Sequence, residues 1–179
     1  MNILVTGGAG YIGSATAEAL IKAGHSVTVY DSLITGHRPA VPEGAKFIEA
    51  DLSDSHALVE ALTKEKFDAV MHFAALIEAG ESMKDPGRFY HNNLTNSLTL
   101  METAIRAGVK RFVLSSTAAV YQSSDEPLTE ESPLGPTNVY HTFVRLMSTF
   151  SSWAWKRQGT VSKNSARLNL SAAVRREQA

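Results

Sequence analysis

The residues with a spacing suited to chemistry come first in a glycine-rich turn. Gly7, Gly10 and Gly13 recur at three-residue intervals within Thr6-Gly7-Gly8-Ala9-Gly10-Tyr11-Ile12-Gly13-Ser14. A glycine triplet alone says little, because glycine is common in turns of every kind. Here an apolar run precedes it, a helical pattern follows, and a second strand ends in an acidic residue. Gly7 permits a tight turn, Gly10 lets the backbone approach a pyrophosphate, and Gly13 lets the helix pack closely on the sheet. The pyrophosphate would rest on the N–H groups and positive end of the helix beginning near Tyr11 and Ile12. Asp31 stands 18 residues beyond Gly13, close to the spacing of about 20 expected for a ribose-binding carboxylate. A carboxylate there accepts hydrogen bonds from the adenosine ribose and repels a 2′-phosphate, which favours NAD over NADP. Asp31 also fits a capping or turn residue in Asp31-Ser32-Leu33.

The surrounding elements must position this turn. Residues 2–6 read as a first strand, and apolar or small residues at 12, 15, 16, 19, 20 and 23 predict a helix stripe closed by Gly24. Strands are expected at 27–30, 46–50, 69–73 and 112–114. Ala57, Leu58, Ala61 and Leu62 give one helix an apolar face, and Leu94, Leu98, Met101 and Ile105 give a longer helix another, closed by Gly108. Pro127, Pro133 and Pro136 mark 121–138 as a long loop. Strands alternating with helices predict an α/β fold, a doubly wound parallel sheet of Rossmann type with helices on both faces. From His141 the punctuation is lost, and a helix over about 140–157 is the expectation.

With 179 residues the chain has room for one ordinary domain. A net charge of -1 gives no reason to expect nucleic acid or an acidic membrane surface. The absence of cysteine removes disulfides and thiolate metal sites, and fits a reducing compartment. The opening Met1-Asn2-Ile3-Leu4-Val5 reads as a strand, not a signal peptide. No apolar run approaches the roughly 20 residues of a membrane span, so a cytoplasmic location is expected.

Further motifs follow in order: Asp31-Ser32-Leu33-Ile34-Thr35-Gly36-His37-Arg38, Asp51-Leu52, His72-Phe73-Ala74-Ala75, Gly80-Glu81-Ser82, Tyr90-His91-Asn92-Asn93 and Ser115-Ser116-Thr117-Ala118-Ala119-Val120-Tyr121. Together with the Gly-x-x-Gly-x-x-Gly turn they resemble the extended short-chain dehydrogenase/reductase family, and within it the UDP-glucose 4-epimerases. The resemblance covers residues 1 to about 140. It implies an NAD-binding Rossmann domain over 1–140, a diverged tail over 141–179, a UDP-sugar substrate and pairing into a homodimer. It places Ser32 beside Asp31, Asp51 and Leu52 around the adenine, Phe73, Ala74 and Ala75 beneath the cofactor, and Asn92 in support of it. Thr117 would hydrogen-bond the reacting sugar hydroxyl, and Tyr140 would exchange its proton. In such epimerases NAD takes a hydride from C4 of the sugar and returns it to the opposite face.

Two departures bear on activity. A phenol titrates near pH 10 and is a poor base at neutral pH without a nearby positive charge. The family supplies a lysine four residues after its tyrosine, whereas this chain has Val144, and Arg145 lies about 100° further round an ideal helix. The family also continues beyond this length, so the C-terminal portion that encloses the sugar is expected to be missing. The loss of pattern at His141 fits a reading-frame change or a diverged, truncated copy, which the coding DNA would decide. The expected function is therefore that of an NAD-dependent nucleotide-sugar epimerase with impaired turnover. A non-catalytic NAD-binding domain or truncated product is the alternative, and a nucleotide-sugar dehydratase or reductase a further one.

Other candidate groups have plainer readings. The six histidines, at 25, 37, 56, 72, 91 and 141, lack the i, i+4 pairing of a helical zinc site, so no metal is expected. His72 reads as a packed, hydrogen-bonded strand residue. Ser115 and Ser116 lack a Gly-x-Ser-x-Gly elbow, and the carboxylates of Asp125-Glu126 and Glu130-Glu131 read as solvated. Trp153 and Trp155 read as packing residues, and Lys156-Arg157 and Arg175-Arg176 are too sparse for nucleic acid.

Overall fold

The computed structural model describes residues 1–117 and, beyond them, 121, 122, 124, 125, 127–129, 131–135, 142, 144, 146, 147 and 149. Among the described residues five strands form one parallel sheet: β1 (Asn2–Thr6), β2 (Ser26–Asp31), β3 (Lys46–Glu49), β4 (Ala69–His72) and β5 (Arg111–Leu114), in the order β3-β2-β1-β4-β5. The first three strands step outward from β1 in one direction, and the chain then crosses back to lay β4 on the other side of β1. That reversal creates a crevice at the carboxyl ends of β1 and β4, where open α/β sheets bind ligands.

Alternating strand residues feed two separate cores. Ile3, Val5, Val27, Val29 and Ala69 point to one face and pack on α1 (Tyr11–Lys22) through Ala17, Leu20 and Ile21. Leu4, Tyr30, Val70 and Phe112 point to the other. There they meet Leu58, Ala61 and Leu62 of α2 (Ser55–Lys64) and Leu100, Met101 and Ala104 of α5 (Asn96–Arg106). Each fully buried leucine among these contributes on the order of 2 kcal/mol of transfer free energy. Asp54 caps α2 by accepting a hydrogen bond from Ala57 N at 3.0 Å, and Gly24 and Gly108 carry positive φ after the ends of α1 and α5. Sheet and faces agree with the fold class read from the sequence.

Two elements differ from expectation. The buried face of α1 runs through Gly13, Ala17, Leu20 and Ile21, while Ile12, Ala15 and Ala19 are exposed. The cause is Gly13: a Cβ there would lie 2.1 Å from Gly7 O, so the helix is turned to seat this glycine on the turn's own carbonyl. The single long helix expected after β4 is instead α3 (Ala79–Lys84), α4 (Pro86–Phe89), a π-helix (Tyr90–Thr95) and α5. Pro86 starts a new turn because proline cannot donate into a continuing helix. Residues 142, 144, 146, 147 and 149 are helical. Among the described residues no helix is long and apolar enough to cross a membrane.

Candidate functional site

A cleft of about 780 Å³ lies along the carboxyl ends of β1, β2, β4 and β5, within the range of roughly 300–1,000 Å³ typical of small-molecule sites. Its wall brings together Gly7, Gly10, Tyr11, Ile12, Gly13, Asp31, Ser32, Asp51, Leu52, Phe73, Ala74, Ala75, Asn92 and Thr117. These candidate residues come from separate elements and meet only because the parallel register aligns the strand ends, with Thr6 opposite both Tyr30 and His72. Tyr140, the expected proton carrier, and Arg145 lie outside the described residues.

The glycine turn is shaped by what stands against each glycine. Gly7 has φ 72, and a Cβ on it would fall 2.5 Å from Ala74 N and 2.7 Å from the Phe73 carbonyl carbon. Two independent constraints therefore demand glycine there: the left-handed backbone and the exit of β4 passing directly against it. Gly10 is different. Its backbone is extended (φ -85, ψ 173), and its Cβ would meet only Gly7 O at 3.3 Å. The fold nearly tolerates a side chain at this position. The N-terminus of α1 has no capping side chain and no acidic residue in its first turn. Its positive end is left for an anion in the cleft.

Asp31 serves the fold and the cleft together. Its carboxylate, 8% exposed, accepts hydrogen bonds from Ala9 N through Oδ2 and Leu33 N through Oδ1, both at 2.9 Å. His37 N donates to Ala9 O at 3.0 Å, drawing the 32–37 loop across the glycine turn. The Asx-type bond to Leu33 holds that residue at φ 58, a conformation that leucine rarely adopts. Two backbone donors leave lone pairs on both oxygens, since a carboxylate has about four acceptor sites. At the far end Tyr30 OH donates to Asp51 O at 3.1 Å, and Asp51 Oδ1 accepts from Ser53 N at 2.8 Å. Burial, then the nearby Asp54 and Asp51 charges, push the Tyr30 phenol up to about 12. It acts as a neutral donor.

Sequence reasoning missed a polar floor under the cleft. His72, Ser97 and Asn93 line it and are almost wholly buried. His72 Nδ1 lies 2.6 Å from Thr6 Oγ1 and Nε2 lies 2.7 Å from Ser97 Oγ, as suits the packed, hydrogen-bonded histidine expected. The missed signal was helical spacing. Leu100, Met101 and Ala104 extend backwards by three and four to Ser97 and Asn93, but an apolar search passes over both.

Burial pushes His72 down from its ordinary value to about 4. The unfolded chain thus binds a proton near pH 6.5 that the folded chain refuses until about pH 4. The stability that neutral His72 protects is complete above pH 6.5 and falls across that window on acidification, by up to about 3 kcal/mol. Denaturant midpoints measured from pH 4 to 7 should show this slope. His72→Gln should flatten it, and an equal slope in both proteins would refute the assignment.

Thr117 joins Ser115 and Ser116 on the cleft wall beyond β5, and Ser115 N donates to His72 O at 3.0 Å. Val144 faces the same cleft. It is 4% exposed and packed with Met147 in the apolar cluster on the α2 and α5 side of the sheet. Val144 therefore gives the cleft an apolar wall at this position, as its sequence implies.

The sequence and the fold are similar to those of known proteins. The chain is 44% identical over 160 residues to the UDP-glucose 4-epimerase of Lactobacillus helveticus, covering 89% of this chain and 48% of that protein. A solved UDP-glucose 4-epimerase superposes with a TM-score of 0.82 at 42% identity, covering 89% of this chain and 48% of the other. The Brucella ovis UDP-glucose 4-epimerase, solved in complex with NAD, gives 0.78 at 37% identity, covering 83% and 46%. The chain thus spans about half the length of the curated relatives it matches. The family model described as NAD dependent epimerase/dehydratase matches residues 3–169, reaching past the quoted motifs. On the fold, the glycine turn and these likenesses, the chain belongs to the NAD dependent epimerase/dehydratase family.

Proposed function

We propose that this chain holds NAD in the cleft as the nucleotide-binding part of a nucleotide-sugar 4-epimerase, and that Val144 depresses its turnover. The observation carrying this reading is the convergence of the glycine turn, Asp31, Asp51, Phe73–Ala75, Asn92 and Thr117 on one cleft. The residues suit the group: an uncapped helix N-terminus for a pyrophosphate, a Gly10 surface without a side chain, and a buried carboxylate with spare lone pairs. When bound, NAD supplies a nicotinamide that accepts and returns a hydride.

The chain's own residues bind and orient. Asp31 accepts from the adenosine ribose and disfavours a 2′-phosphate, Asp51 and Leu52 frame the adenine, and Phe73 to Ala75 form the floor. Asn92 supports the ligand from the π-helix. Thr117 hydrogen-bonds the sugar hydroxyl whose proton Tyr140 takes and returns. The substrate is a UDP-sugar, as in the relatives' names. Val144 favours a second reading, retention of NAD without turnover, because an apolar side chain stabilises no phenolate. The test adds UDP-galactose to the NAD-loaded chain and follows both reduced nicotinamide and UDP-glucose. UDP-glucose at the rate of an ordinary epimerase refutes the depressed-turnover claim. Binding with neither signal supports the second reading, and absence of NAD binding refutes both.

A further inference from the structure

The helix that follows α4 touches the exit of β4 at two points. Asn93, 1% exposed and inside the π-helix, accepts from Leu76 N through Oδ1 and donates to Leu76 O through Nδ2, each at 2.8 Å. It thereby satisfies both backbone groups of one loop residue. Asn92 Nδ2 donates to the same Asn93 Oδ1 at 2.8 Å. Four residues further along, in the first turn of α5, Ser97 Oγ meets His72 Nε2 at 2.7 Å, and the opposite ring nitrogen meets Thr6 Oγ1. The two contacts bracket Phe73, Ala74 and Ala75, and the backbone of Phe73 and Ala74 runs so close to Gly7 that no side chain fits between.

We propose that Asn93 and Ser97 are positioning residues forming a two-point clamp, which fixes the β4 exit loop against the glycine turn and so sets the floor of the dinucleotide cleft. Neither needs to touch the ligand. Asn93 holds the far end of the loop through its backbone, and Ser97 holds the near end through His72 and Thr6, the residue before Gly7. Buried polar groups that are fully paired specify one geometry, because any displacement leaves a donor or acceptor without a partner. The π-helix fits this role: it brings Asn92 and Asn93, consecutive residues, both to the cleft wall, and such turns are frequent at functional sites.

The effect of the clamp on affinity rests on the NAD reading above, whereas its existence does not, and the experiment separates them. Residue-resolved amide hydrogen exchange and NAD titration are measured on the wild type, Asn93→Ala, Asn93→Asp, Ser97→Ala and Ser97→Thr. In Asn93→Ala the Leu76 amide should exchange at least about tenfold faster while β1 and β4 amides keep their protection, and the Kd for NAD should rise about tenfold. Asn93→Asp, which keeps the acceptor for Leu76 N but loses the donor, should fall between. Ser97→Thr should stay near wild type and Ser97→Ala should not. Should Asn93→Ala fail to fold, the Ser97 pair makes the same comparison at the other point. Unchanged Leu76 exchange or acceleration spread uniformly over the sheet would overturn the clamp, and local release with unaltered NAD affinity would overturn its role in setting the cleft floor. A wild type that binds no NAD overturns the cofactor reading, and the exchange pattern still decides whether the loop is clamped.

Discussion

Gly10→Val raises the Kd for NAD by at least about a hundredfold, roughly 3 kcal/mol, while the chain stays folded. The two halves of this expectation have separate causes. Position 10 has an extended backbone that valine adopts readily, and the nearest obstacle to its Cβ is Gly7 O at 3.3 Å. As the N-cap of α1 it favours glycine over valine, at a cost on the order of 1 kcal/mol that leaves the chain folded. Its outward surface faces the cleft, so the branched methyl groups occupy the space where a pyrophosphate must approach the backbone. Gly13→Ala makes the contrast: its Cβ would stand 2.1 Å from Gly7 O, so it damages the turn itself and lowers the melting temperature as well as affinity. Calorimetric titration with NAD, beside a thermal melt, distinguishes the two. Gly10→Val binding NAD like the wild type would falsify the placement of the pyrophosphate.

The second large effect is a gain. Val144→Lys should raise UDP-galactose epimerisation by about a hundredfold, the lower end of what acid–base catalysis supplies. Val144 is packed with Met147 yet borders the cleft, so a lysine stem can take over the apolar contacts while its ammonium reaches the open side. If Tyr140 carries the proton as proposed, a positive charge there would stabilise its phenolate and move the ascending limb of the pH–rate profile to lower pH. Val144→Met is the control, with similar bulk and no charge. Equal gains from lysine and methionine, or a wild type as fast as Val144→Lys, contradict the proposal that Val144 depresses turnover.

Much of this is legible in the sequence, for reasons that differ from residue to residue. Parallel strands buried on both faces show as short apolar runs, which is why Asn2–Thr6 and Ala69–His72 were readable. Gly7, Gly10 and Gly13 were readable as a set with separate roles: a tight turn, an approach for a pyrophosphate and close helix packing. What the tertiary placement adds is the neighbour behind two of those roles, Ala74 against Gly7 and Gly7 O against Gly13. The same contact rotates α1 away from the apolar stripe that its sequence suggested. Asp31 fitted two roles in the sequence, and its two backbone donors show why: one carboxylate can shape the turn and still face the cleft. Helical spacing carries the buried face back to Ser97 and Asn93, but their partners Leu76 and His72 lie elsewhere in the chain, and no helical period names them.

The central claim is that the glycine turn at the end of β1 is where this chain holds NAD. Titrating NAD into isotopically labelled protein and following backbone amides tests it most directly. Saturable shifts should concentrate on Gly10 to Gly13, Asp31 to Ser32 and Phe73 to Ala75, with β3 and the far end of α2 unmoved. Shifts that never saturate, or that gather away from the turn, would contradict it.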